Sequence, residues 1–325
     1  MSTLSYVTTT LYTLLLTLSL SSPLLSIPPE KHLAITQFVE HVAADAVREG
    51  LLKELEKRGY SLGKNLIIDF ENAQGSVATA NQIARKFLGL KPTVIVAITT
   101  PSAQAMVKVI TKEGLPIVFS AVTDPIDAGL VSSLTDHKSH VTGISDAPPI
   151  REQIAFIKTL LPTAKTIGVL YNPGDPGSIT SLKTVREQAK THGLTLVEGT
   201  PLKSSDIQTA VLHLVGKVDA LYVPLDNMLV SAMATVATLA TKHKLPLFTA
   251  DSGSVEDGAL ACLGYSYTAV GTRTGTMIAD ILDGQNPATL PVASPEKKDI
   301  FVNRTTAQKL GITLPTDIQK KAHFY

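Results

Sequence analysis

Hydroxyls, amides and carboxylates gather in a few short turns of this 325-residue sequence, each turn following an apolar run. In the first half these residues are Gln37, Phe38 and His41, then Thr99, Thr100 and Ser102, then Ser120, Thr123 and Asp124, then Ser145 and Asp146. In the second half they are Tyr171 and Asn172, Asp226 and Asn227, and Thr249, Asp251 and Ser252. Such a set suits reversible binding of a small polar or zwitterionic molecule. In Thr99-Thr-Pro-Ser102, Thr100 reads as an N-cap and Pro101 as the first helical residue. A helix start of that kind offers free backbone N–H groups and the positive end of a dipole, which favour an anion such as a carboxylate. Ser120-Ala-Val-Thr123 is a second hydroxyl-rich turn expected beside the first. Asp226 and Asp251 are candidates to receive an ammonium group, because a buried carboxylate needs a charged or hydrogen-bonding partner. The same two residues also read as ordinary helix caps and turn formers. His41 is placed either to touch a ligand or to cap a helix.

Catalytic signatures are thin. There is no Gly-x-Ser-x-Gly elbow, no Gly-Lys-Ser/Thr phosphate loop and no His-Glu-x-x-His. His137 and His140 are the only closely spaced histidines and sit in a polar loop, so no metal is implied. Cys262 is the single cysteine, which rules out an internal disulfide and a cysteine-based zinc site. The charge balance of 29 Lys+Arg against 28 Asp+Glu lacks the basic excess of a nucleic-acid binder. With no tryptophan and 5% aromatics, an aromatic-lined sugar groove is disfavoured.

The elements that position these turns alternate between strand and helix. Strands are predicted at 32–38, 65–70, 93–99, 116–120 and 141–145, with helices over 43–58, 77–88 and 101–111 between the first four. Ala43, Val47, Leu51 and Leu55 recur at helical spacing, and Val94-Ile-Val-Ala-Ile98 has the unbroken apolarity of a strand covered on both faces. The pattern restarts with strands at 166–171, 194–197, 219–223 and 245–249, and helices at 178–192, 205–215 and 228–243. Local parallels support two similar halves: Pro116-Ile-Val-Phe-Ser120 resembles Pro246-Leu-Phe-Thr249. A helix near 271–282 and a strand near 299–303 then cross between the halves. The reading is α/β, with two doubly wound parallel-sheet lobes joined by a hinge. Lobe 1 takes 31–145 plus about 266–292, and lobe 2 takes 146–265 plus about 293–325. Because ligands bind beyond the carboxyl ends of strands in such sheets, the polar turns face one another across a cleft.

Residues 1–26 read as a signal peptide or an amino-terminal anchor. Leu11–Leu20 is the apolar core, and small residues through Ser26 offer a cleavage site. Export is favoured, and no cysteine near Ser26 is available for a lipid anchor.

Taken together, these turns resemble those of substrate-binding proteins of ABC importers, in the TrpX-like group that binds tryptophan. The likeness runs from about Leu33 to Leu314. It is carried by Gln37-Phe-Val-Glu-His41, Asn72-Ala-Gln-Gly75, Thr100-Pro-Ser-Ala-Gln104, Ala121-Val-Thr-Asp-Pro125, Gly143-Ile-Ser-Asp146, Gly168-Val-Leu-Tyr-Asn-Pro173, Asp226-Asn227 and Gly258-Ala-Leu. The resemblance implies a periplasmic-binding-protein-like fold of type I, no enzymatic activity, no cofactor, and an amino-acid ligand, aromatic by preference. It also implies delivery to an inner-membrane ABC permease. The missing lipid-attachment cysteine departs from the lipoprotein members and suggests a soluble periplasmic protein, a monomer since no coiled-coil heptad demands a partner chain. The charge balance implies no nucleic acid. By the family pattern Thr100, Ser102 and Thr123 hold the ligand carboxylate and Asp226 or Asp251 its ammonium, while Gln37, His41, Asp146 and Asn172 line the cleft. The alternatives are a sensor for another small polar molecule and a cleft enzyme using its carboxylates.

Overall fold

The computed structural model describes residues 30–110 and 113–325; the amino-terminal segment read as a signal peptide or anchor lies outside the described residues. The first lobe is built from β1 (Lys31–Gln37), α1 (Val42–Lys57), β2 (Leu66–Asn72), α2 (Val77–Leu90), β3 (Val94–Ile98), α3 (Thr100–Ile110), β4 (Ile117–Val122) and β5 (Val141–Ser145). The strands form an all-parallel sheet in the order β2-β1-β3-β4-β5. Alternation along β1 sends Leu33 and Ile35 into one buried layer and Ala34 into the other, so both faces of the sheet are covered.

The second lobe begins with α4 (Ile150–Leu160), β6 (Thr166–Leu170), α5 (Pro176–Thr191), β7 (Thr195–Gly199) and α6 (Ile207–Leu214). It continues through β8 (Ala220–Val223), α7 (Asn227–Ser231), α8 (Met233–Lys242), β9 (Leu247–Thr249), α9 (Gly253–Glu256) and β10 (Ala261–Gly264). The chain then returns to the first lobe as α10 (Tyr267–Leu282). It crosses once more to supply β11 (Asp299–Val302), α11 (Arg304–Leu310), α12 (Thr316–Lys321) and β12 (His323–Phe324). This second sheet runs β12-β11-β10-β9-β8-β6-β7, with β10 and β11 its antiparallel pair. Three segments therefore connect the lobes: Asp146–Pro149, Tyr265–Ser266, and the stretch after Ala293, whose backbone bonds Gly143 and Ser145 at the end of β5.

Several elements differ from the sequence reading, for local reasons. The helix predicted over 228–243 is two, because the Ala232 N–H closes a tight turn on the Leu229 carbonyl and ends α7 there. Helix α10 starts at Tyr267, a turn earlier than periodicity suggested, with Ser266 accepting from the Ala269 N–H. Helix α3 starts at Thr100 itself, so Thr99 takes the boundary position with a left-handed φ of 72°. Helices α4, α9, α11 and α12 went unread.

Helix α10 lies against α1 backbone to backbone. A Cβ on Gly271 would sit 2.2 Å from the Val47 carbonyl oxygen, one on Gly50 2.5 Å from that of Thr268, and one on Gly275 2.7 Å from that of Leu51. Overpacking here forces the helices apart, and Gly271→Ala is expected to destabilise the fold by about 1–3 kcal/mol. Gly89→Ala in α2, where the added Cβ meets nothing, is the control and should stabilise by about 0.4–1 kcal/mol. Urea unfolding of the two variants checks both signs.

Candidate ligand-binding site

Each sheet has a topological switch point, between β1 and β3 in one and between β6 and β8 in the other, and the crevices these open face each other. His41, Thr99, Thr100, Thr123 and Asp146 meet Asp226, Asn227 and Asp251 around one cavity, with about 420 Å³ of empty space including its mouth. Its apolar wall is supplied by Ala43, Ala44, Ala121, Leu225, Val230 and Tyr267.

Backbone geometry aims the first wall. Thr99 and Ala121, just past β3 and within the bulge between β4 and β5, both have left-handed φ angles, 72° and 55°. The first turn of α3 carries no acidic side chain, so its N–H groups stay electropositive. Thr99 Oγ1 is buried with no hydrogen-bond partner among the described residues. His41 caps α1: its Nδ1 accepts from the Ala44 N–H at 3.1 Å, which puts the ring proton on Nε2. Burial of the ring holds the His41 pKa down at about 4, and Asn227 from the other lobe hydrogen-bonds it.

The opposing wall is acidic and mostly braced. Asp175 caps α5, accepting from Gly177 and Ser178, and also takes the Asn227 N–H and side-chain amide. Asp226 caps α7 through the Leu229 N–H and reaches back to Ser178 Oγ at 2.7 Å and the Asn172 N–H at 2.6 Å. The two carboxylates thus clamp α5 and α7 reciprocally. Burial, with the Asp175 charge added, pushes Asp226 up to about 6. Asp251 accepts from the Ser254 N–H and hydroxyl, and burial raises it too. Asp146 is held differently. Its Oδ2 accepts from the Tyr267 hydroxyl at 2.9 Å, while its buried Oδ1 has no partner among the described residues. Burial pushes Asp146 up to about 6, against the pull of the Tyr267 bond.

The remaining candidates lie outside this lining. Gln37 is committed to a buried network, donating to Asp45 and the Val39 carbonyl and accepting from Arg48. Ser120 bonds Thr274 on α10 at 2.7 Å, and Ser145 donates to the Thr123 carbonyl. Ser102 is buried within the first turn of α3 without a partner among the described residues. Asp124 closes its own turn by accepting from the Ile126 and Asp127 N–H groups. Asn172 borders a second, larger interlobe recess with Phe38, Lys108, Lys203 and Met228. Conversely, Tyr267, Gly177 and Asp175 went unread although Ser266 and Asp175-Pro176 are ordinary helix-start signals.

Glycines stand at two close contacts between the lobes. A Cβ on Gly177 would meet Thr123 Oγ1 at 3.0 Å, and one on Gly253 the Ala43 backbone nitrogen at 3.0 Å. A crystal structure from Streptococcus pneumoniae, described as an ABC domain in complex with L-Trp, is 32% identical and superposes with a TM-score of 0.86, covering 91% of this chain and 99% of that one. The ligand-free, open structure of a Clostridium difficile substrate-binding protein with adhesive properties is 40% identical over the same shares, yet its TM-score is 0.70. The second relative thus superposes less well than the first despite its higher identity. Because a Cβ at Gly253 already crowds the Ala43 backbone and the Val42 side chain of the other lobe, Gly253→Val is expected to push the lobes apart, raising the radius of gyration measured by small-angle X-ray scattering; an unchanged scattering profile would refute that. Among curated proteins, the tyrosine-binding protein of Clostridioides difficile (strain R20291) is 40% identical over 283 residues, 87% of this chain and 81% of its own length. Solute-binding proteins only 12–14% identical share the fold, type I of the periplasmic binding proteins, at TM-scores of 0.60–0.62. The family model for ABC transporter substrate binding protein matches residues 32–324, and the chain belongs to that family, as a solute receptor and not an enzyme.

Proposed function

We propose that this receptor captures an aromatic amino acid between its lobes, outside the inner membrane, and as a monomer hands it to an ABC permease. The observation that carries the ligand class is the pairing of an electropositive wall at α3 with a free carboxylate oxygen on Asp146. A zwitterion matches both. Its carboxylate belongs at Thr99, Thr100 and Thr123, beside the α3 N-terminus. Its ammonium belongs on Asp146 Oδ1, with Asp251 alongside. Asp226, the earlier candidate, already accepts three donors and serves to hold the wall. The aromatic preference follows the relatives, one a tyrosine-binding protein and one solved with L-Trp. Export agrees with the apolar segment Leu11–Leu20.

Isothermal titration of the purified protein, stripped of ligand by refolding, with L-tyrosine, L-tryptophan and L-phenylalanine tests the reading. Selective binding of one or more is expected; folded protein that ignores all three while binding another class would discard the amino acid. Asp146→Asn should weaken binding by about 2–5 kcal/mol, since it removes one partner of a buried charged pair. The pH dependence has a definite sign. Ammonium binding requires ionised Asp146, whose pKa is raised to about 6. Affinity should therefore be flat above that pH and fall as pH drops below it, by up to about tenfold per unit for one proton taken up.

A further inference from the structure

Asp146 follows β5 as the first residue of the first connection between the lobes, and Tyr267 opens α10 directly after the second. Their hydrogen bond thus ties two connecting segments together at the cavity wall, 121 residues apart in sequence. Both residues are buried, and both line the cavity. The bond engages one carboxylate oxygen and leaves the other without a partner among the described residues.

We propose that Tyr267 is the positioning residue of the ammonium site, fixing the Asp146 carboxylate so that Oδ1 is presented to the ligand in ionised form. This rests on the amino-acid reading above. The choice of a phenol has chemical sense. An aspartate carboxyl rotates broadly about its last torsion, so a single fixed donor is needed to define its plane. An Arg or Lys in that place would also fix it, but would neutralise Asp146 and compete with the incoming ammonium. A phenol donates a hydrogen bond while the full negative charge stays available. Burial and the nearby Asp146 and Asp251 carboxylates push the Tyr267 phenol well above its ordinary range, so it remains a donor at any physiological pH. The other titratable groups facing this pair are Asp251 (already bonded to Ser254), Tyr265 and the buried thiol of Cys262.

Tyr267→Phe removes the donor and keeps the ring. Two readouts separate positioning from mere packing. In the ligand-free protein, ¹³C NMR titration of the Asp146 carboxyl should move up by about one pH unit in Tyr267→Phe. In protein carrying 3-fluorotyrosine, a stronger donor, the same carboxyl should move down, which keeps the test open if the phenylalanine variant fails to fold. By calorimetry, Tyr267→Phe should bind L-tyrosine or L-tryptophan about 10- to 100-fold more weakly near neutral pH, with the acid limb displaced upward. The deaminated analogues 3-(4-hydroxyphenyl)propionate and indole-3-propionate should bind wild type and variant alike. An Asp146 titration that does not move, or an equal loss for the deaminated analogues, overturns the assignment. Wild-type protein that binds neither amino acid, with the Asp146 titration displaced as described, faults the ligand reading and leaves the Tyr267–Asp146 bond established.

Discussion

The fold depends on the contact between α1 and α10. A helix that arrives late in the chain, from the other lobe, has to lie on the first helix closely enough for backbone to meet backbone. Gly50, Gly271 and Gly275 make that approach possible. The contact fixes where α10 begins and so sets Tyr267 at the cavity. It also anchors both ends of the return journey, since the Tyr265–Ser266 connection enters α10 and the stretch around Ala293 leaves it along the edge of β5. Ser120 and Thr274 add a buried hydroxyl pair between α10 and β4. The two lobes are thus each discontinuous in sequence and each complete in space.

Around the cavity, the electrostatics are divided between structure and ligand. Buried carboxylates are costly unless they find donors. Asp175 and Asp226 spend nearly all their acceptor capacity on the N-termini of α5 and α7, and Asp251 spends its own on Ser254. Among the described residues, one oxygen of Asp146 and the Thr99 hydroxyl are buried at this cavity without a partner, beside the start of α3. On the proposed reading, it is these groups that a zwitterion would engage.

The strand–helix alternation was legible because Val94–Ile98 and the runs like it are apolar without interruption, and because the switch-point rule turns strand ends into a list of site candidates. That list contained His41, Thr99, Thr100, Thr123, Asp146, Asp226, Asn227 and Asp251, all of which border the cavity. It also contained Gln37, Ser120 and Ser145, whose side chains satisfy neighbours instead. Sequence could not separate the groups, because Arg48, Thr274 and the Thr123 carbonyl, which occupy them, reach them only through tertiary packing. Asp226 was legible both as cap and as ligand group, and in the structure it caps α7 while bordering the cavity. Tyr267 was missed for a different reason: Gly271-Thr-Arg-Thr-Gly-Thr276 interrupts the apolar pattern of α10, so its first turn, Tyr267-Thr-Ala-Val270, did not read as part of the same helix.

The left-handed backbone at Thr99 and Ala121 has a consequence for affinity. Neither residue is glycine, and a β-branched residue at positive φ is an outlier that costs on the order of 1–3 kcal/mol. That cost is incurred when the chain folds and is carried by the sheet beneath. The backbone of these turns is thus set by the fold itself, and a ligand bound there would have little conformational entropy left to remove at the first wall.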